Sequence, residues 1–109
     1  MISKKELPDC PVATTLSLLN SKWKVYIIQK LLERPWRHNE LKKSINGISQ
    51  KVLTDNLRSM EADGIIQRKI FDEKLPHVEY SLTELGELMK PILDALHNFG
   101  LFYQSLRKI

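Results

Sequence analysis

A mainly helical fold with one small β-hairpin is what this sequence predicts, and three observations carry the prediction. Apolar residues recur every three or four positions over most of the chain, which is the period of a helix. Between residues 66 and 82 the period falls to two, which is the period of a strand. Helix-starting residues (Pro11, Ser21, Ser49, Thr83) and glycine stops (Gly47, Gly64) divide the helical part into separate rods.

The first helix is expected to start at Pro11, because proline lacks a donor that would be unpaired there anyway. Val12, Leu16 and Leu19 give it a short apolar stripe. A second helix is expected from Lys22 to Glu33, capped by Ser21 or Asn20 and ended by Pro35. Trp23, Ile27, Ile28, Leu31 and Leu32 mark its buried side. A short third helix fits Asn39 to Ile45, with Asn39 as its cap and Asn46-Gly47 as its stop. The fourth helix is the clearest. Ser49 caps it, Gly64 stops it, and Val52, Leu53, Leu57 and Met60 form its apolar stripe.

Two strands follow, Ile66 to Phe71 and Val78 to Leu82, joined by a charged loop over 72–77. Thr83 then caps a last, long helix, with Pro91 expected to kink it. Helix–turn–helix followed at once by a hairpin is the winged helix-turn-helix arrangement. The expected organisation is one domain over residues 1–109. Its parts are a three-helix core, a helix-turn-helix at about 37–64, a wing at about 65–82 and a C-terminal dimerisation helix at about 83–106.

Composition limits the function classes. With 42% hydrophobic and 28% charged residues the chain is neither disordered nor membrane-spanning in character. Its polar start has no apolar signal-peptide core, so a cytoplasmic protein with no membrane contact is expected. The single cysteine, Cys10, excludes an internal disulfide. The three histidines, His38, His77 and His97, fall in three different elements, so no metal site and no cofactor are expected. No Gly-rich phosphate loop or nucleophile–base pair is present, so the chain is not expected to be an enzyme.

The net charge is +4, and it is unevenly spread. Arg34 to Lys74 holds nine basic and six acidic residues, whereas the chain from Tyr80 onward holds three of each. The excess therefore lies in the half that would meet phosphates. A reading helix needs one face anchored on its own domain and one face able to bond base edges. On the fourth helix Gln50 can pair with adenine, Lys51 can reach a phosphate, Thr54 can meet a base or a thymine methyl, and Arg58 can reach a phosphate or a guanine. The helix start at Ser49 offers free backbone donors to a phosphate. Asp55 either accepts from a cytosine amino group or pairs with Lys51 one turn away. Lys74 and His77 flank the tip of the hairpin, the second expected contact.

The last helix carries more apolar side chains than one stripe needs. Either a second copy covers them across a two-fold axis, or they pack on the first helix alone. A homodimer through the first and last helices would place two reading helices one DNA turn apart, matching a palindromic operator in double-stranded DNA. The competing possibility is a winged-helix protein–protein docking module without DNA binding, which would more often present an apolar patch on the fourth helix.

Cys10-Pro11-Val12, Ser21-Lys22-Trp23-Lys24, the stretch from Asn46 to Ile66 and the stretch from Val78 to Gly86 together resemble the HxlR-type family of bacterial transcriptional regulators. The likeness runs from about Cys10 to Gly100. It implies a dimer built on the first and last helices, a recognition helix bearing Ser49, Gln50, Lys51, Thr54 and Arg58, and a wing in the loop before His77. It also implies a regulator, in several members responsive to oxidants or electrophiles through an N-terminal cysteine; repression is expected because it is the commoner mode for a small regulator with no activation domain. Two residues depart from the pattern: His38 stands where phenylalanine is usual, and His77 where arginine often stands. Cys10 has its own physical case as a redox sensor, since the unpaired donors and dipole at a helix start favour thiolate, the reactive form. The alternative is a small apolar residue packed in an interface.

Overall fold

The computed structural model describes residues 7–107. Among them are six helices and three strands. The helices are α1 (Pro11–Leu18), α2 (Lys22–Glu33), α3 (His38–Ser44), α4 (Gln50–Ala62), α5 (Glu84–Glu87) and α6 (Lys90–Arg107). The strands are β1 (Trp36–Arg37), β2 (Ile66–Phe71) and β3 (His77–Leu82), arranged as one antiparallel sheet in the order β1-β3-β2.

The core lies where α2, α3 and α4 meet the inner edge of the sheet. Ile27, Ile28 and Leu31 come from α2, Leu41 from α3, and Leu53, Leu57 and Met60 from α4. Ile66 and Leu82 close it from the strands, Ile65 from the bend just before β2, and Met89 and Leu93 from the C-terminal part. The buried positions on α2 and α4 repeat every three or four residues, so one stripe of each rod is withdrawn from water.

The caps decide where the rods begin. The Ser21 hydroxyl accepts from the Trp23 N–H at 3.0 Å, so Ser21 and not Asn20 caps α2. The Ser49 hydroxyl accepts from the Val52 N–H at 3.1 Å. Helix α3 starts one residue earlier than expected, with Arg37 and not Asn39 at its cap. The Glu40 carboxylate reaches back to accept the Arg37 N–H at 2.9 Å. That bond, followed by the bond and charge of the Arg34 guanidinium, holds the Glu40 carboxyl below its ordinary pKa. Gly47 and Gly64 both have positive φ, 85° and 78°, the left-handed conformation that ends a helix and that glycine adopts without strain.

Two further features differ from the sequence expectation. Strand β1 is only two residues long and carries no periodic signal, yet it pairs with β3 through Trp36 opposite Tyr80 and Arg37 opposite Glu79. The Trp36 indole N–H donates to the Lys30 carbonyl at 2.8 Å, and the Arg34 guanidinium lies 3.7 Å from the ring centre. The helix expected to run unbroken from Thr83 is two helices. Thr83 caps the single turn α5 by accepting from the Gly86 N–H at 3.0 Å, and its hydroxyl donates to the Gly64 carbonyl at 2.6 Å. The chain then turns at Leu88 and Met89, and Pro91 is the second residue of α6. Proline in a first turn costs no hydrogen bond, so it begins a helix here instead of kinking one.

Candidate nucleic-acid interface

Helix α4 is held on one side by Leu53, Leu57 and Met60, which fixes what the other side offers to solvent. Ser49, Gln50, Lys51, Asp55 and Arg58 are exposed there. The Lys51 ammonium donates to the Asp55 carboxylate at 2.7 Å, one turn along the helix. Both side chains are more than half exposed, so the pair is weakly held and either partner is free to exchange for another. Arg58 makes no ion pair among the described residues, leaving its guanidinium available for an anion or a base edge.

Thr54 sits at the shoulder of this face and is half-buried. Its hydroxyl lies 3.0 Å from Nε2 of His38, the first residue of α3. Nothing in the sequence marks that contact, since the two residues are sixteen positions apart and belong to different elements.

The hairpin projects beside α4. Arg68 on β2 lies 3.6 Å from the Glu61 carboxylate on α4, tying the base of the wing to the helix. The loop over 72–76 is exposed, and Lys74 lies in it. His77 is the first residue of β3 and is turned inward, with a side chain only 14% exposed. Its ring stacks on Phe71, its cross-strand partner, at 4.7 Å and 10°. Its Nε2 lies 3.0 Å from the Glu79 carboxylate and its Nδ1 lies 3.1 Å from the Leu75 carbonyl. Both ring nitrogens thus face protein acceptors, and the ring braces the base of the wing. Of the two residues expected at the tip, Lys74 alone has a side chain presented to solvent.

A second exposed surface is apolar. On α1, Val12 and Leu16 are exposed, and on α6 so are Leu96, Phe99, Phe102, Tyr103 and Leu106. Leu93 is the only residue of α6 that is buried. Phe99 and Tyr103 stack on each other one turn apart at 6.2 Å. Cys10 is exposed at the N-cap of α1. Among the described residues no group of histidine, cysteine, aspartate or glutamate is placed to hold a metal ion. None of their helices is long and apolar enough to cross a membrane.

The family model of the HxlR-like helix-turn-helix matches residues 18–107, nearly the whole chain. The protein belongs to the HxlR-like helix-turn-helix family. It is therefore a transcriptional regulator of the helix-turn-helix type and not an enzyme. Two relatives from Bacillus subtilis, the HTH-type transcriptional regulators YdeP and YkvN, are 37% and 43% identical to it. These alignments cover 94% and 87% of this chain and 80% of each relative. Among solved structures, the redox regulator HypR in its reduced form superposes with a TM-score of 0.84 at 34% identity. It covers 91% of this chain and 98% of its own. The reduced form of YodB from B. subtilis gives 0.76 at 31% identity, covering 84% and 91%. The mainly helical winged-helix architecture of this HxlR-like chain is thus shared with regulators of known structure.

Proposed function

We propose that the chain is a sequence-specific double-stranded DNA-binding repressor that acts in the cytoplasm as a homodimer on a palindromic operator. The observation that carries this reading is the solvent face of α4. It is polar where a docking module would be apolar, and it offers Gln50, Lys51 and Arg58 from a helix whose other side is locked in the core. In the complex Gln50 and Arg58 read base edges, Thr54 meets a base or a thymine methyl, and Lys51 trades Asp55 for a phosphate. The backbone donors at Ser49 take a second phosphate. Lys74 contacts the backbone from the wing, and His77 supports that contact from the wing's base.

The dimer covers the apolar residues of α1 and α6. An exposed stripe of this kind on an otherwise ordinary monomer marks an interaction surface, and a two-fold partner offers the matching stripe. Cys10 stands exposed at the start of α1, beside that surface in sequence, which supports a role as the redox sensor. The similar structures of the redox regulator HypR and of diamide-treated YodB support the same reading by analogy. An oxidant that links or modifies Cys10 then alters the dimer and releases the operator.

The test is titration of a duplex carrying the region upstream of the protein's own gene against a scrambled duplex, over a salt series, for wild type and Cys10→Ser. Binding that prefers the upstream duplex and weakens steeply with salt supports the repressor. Release by diamide in wild type but not in Cys10→Ser supports the sensor. Equal, negligible binding to both duplexes would leave the docking module as the better reading.

A further inference from the structure

We infer that His38 is a positioning residue for base reading, setting through its bond to Thr54 which base pair α4 prefers. The inference rests on the DNA-reading function proposed above. Thr54 lies on the same face of α4 as Gln50 and Arg58, one turn from each. Among the described residues its hydroxyl is the only group on that face bonded to another helix, at 3.0 Å from His38 Nε2. His38 is itself half-buried at the start of α3, so its ring is confined by the backbone that carries it.

Two physical consequences follow. The first concerns direction. A helical threonine splits between rotamers because its hydroxyl can turn back to a carbonyl one turn earlier. The bond to His38 selects one rotamer and so fixes where both the hydroxyl and the methyl of Thr54 point. The second concerns polarity. A hydroxyl has one hydrogen to give, and a neutral imidazole has one donor and one acceptor nitrogen. When Nε2 carries the hydrogen, the Thr54 hydroxyl accepts from His38 and keeps its own hydrogen for a base acceptor. When Nε2 is bare, the hydroxyl gives its hydrogen to the ring and has only lone pairs left for a base donor. His38 therefore governs both the position and the hydrogen-bonding sense of one reading group without touching DNA itself.

The experiment is selection from a randomised duplex library by the full chain, comparing wild type with His38→Phe, His38→Gln, Thr54→Val and the His38→Phe/Thr54→Val pair. Affinity for a non-specific duplex and thermal melting are measured alongside. A single disfavoured base pair costs an order of magnitude in affinity in typical sites, so a change at one position is readable. The expected result is that His38→Phe and Thr54→Val each lower discrimination at the same single position of each half-site by about fivefold or more. The pair does no worse than either alone, His38→Gln keeps the wild-type choice because its amide nitrogen reaches as far as Nε2, and the single His38 variants keep the non-specific affinity of wild type. A purely structural His38 would weaken binding to all sequences alike and leave the chosen base unchanged, which would overturn the inference. Selection of no sequence by wild type would overturn the DNA-reading function itself, an outcome distinct from selection of one sequence by every variant.

Discussion

The Lys24 ammonium donates to the Ser59 hydroxyl at 2.8 Å and joins the start of α2 to the far end of α4. Lys24 is 5% exposed and, among the described residues, is the one charged residue that is buried. A buried ammonium that loses its partner keeps its desolvation cost, whereas an apolar side chain of similar length avoids that cost altogether. Ser59→Ala should therefore destabilise the fold by about 1–3 kcal/mol. Lys24→Met should be close to neutral, the flexible thioether filling the same channel. Urea unfolding of the two variants checks this, and an unchanged midpoint for Ser59→Ala would show that the ammonium finds water instead.

Gly86 is required by contact and not by backbone conformation. A Cβ built there would lie 2.2 Å from the Ile65 carbonyl oxygen and 3.1 Å from a methyl of Leu82. That carbonyl cannot swing aside, since it accepts the Thr83 N–H at 3.0 Å. Gly86→Ala should force the C-terminal part away from the sheet, at a cost of about 1–3 kcal/mol. Gly100, which has open space around its would-be Cβ, supplies the control: Gly100→Ala should lower the melting temperature far less, if at all.

The apolar face of α6 should carry dimerisation without carrying the fold of the protomer. Phe99 is 67% exposed and Phe102 60% exposed, so neither supports the core. Phe99→Glu/Phe102→Glu brings like charges together across a two-fold axis, where repulsion is strongest. The variant should sediment as a monomer, keep its helical circular-dichroism signal and bind a palindromic duplex far more weakly than wild type. A variant that still sediments as a dimer would exclude α6 from the interface.

Much of this fold was legible because its signals are local. Ser49 and Gly64 bracket α4, and Leu53, Leu57 and Met60 repeat at helical spacing between them, so both the rod and its exposed face follow from sequence alone. Strand β1 was not legible, because two residues cannot show a period and its pairing with β3 bridges more than forty residues. The break before α6 had a signal that was open to a second meaning. Pro91 within an apolar helical run reads as a kink, and only the turn at Leu88 and Met89 makes it a first-turn residue.

The site divides the same way. Gln50, Lys51 and Arg58 are exposed where the periodicity puts them, and the Lys51–Asp55 pair is a contact that four-residue spacing allows. The contacts of Thr54 and His77 depend on tertiary neighbours. That of His77 with Glu79 was within reach of sequence reasoning, since residues two apart on a strand share a face. That of Thr54 with His38 was not, since it exists only once α3 and α4 are packed.

The measurement that tests the central claim most directly is a hydroxyl-radical footprint of the protein on the duplex upstream of its own gene. A dimer that inserts α4 of each protomer into the major groove predicts two protected patches related by two-fold symmetry and about one helical turn, roughly 34 Å, apart. Arg58→Ala should weaken both patches together. An unprotected duplex, at protein concentrations where a control DNA-binding protein gives a full footprint, would contradict the account.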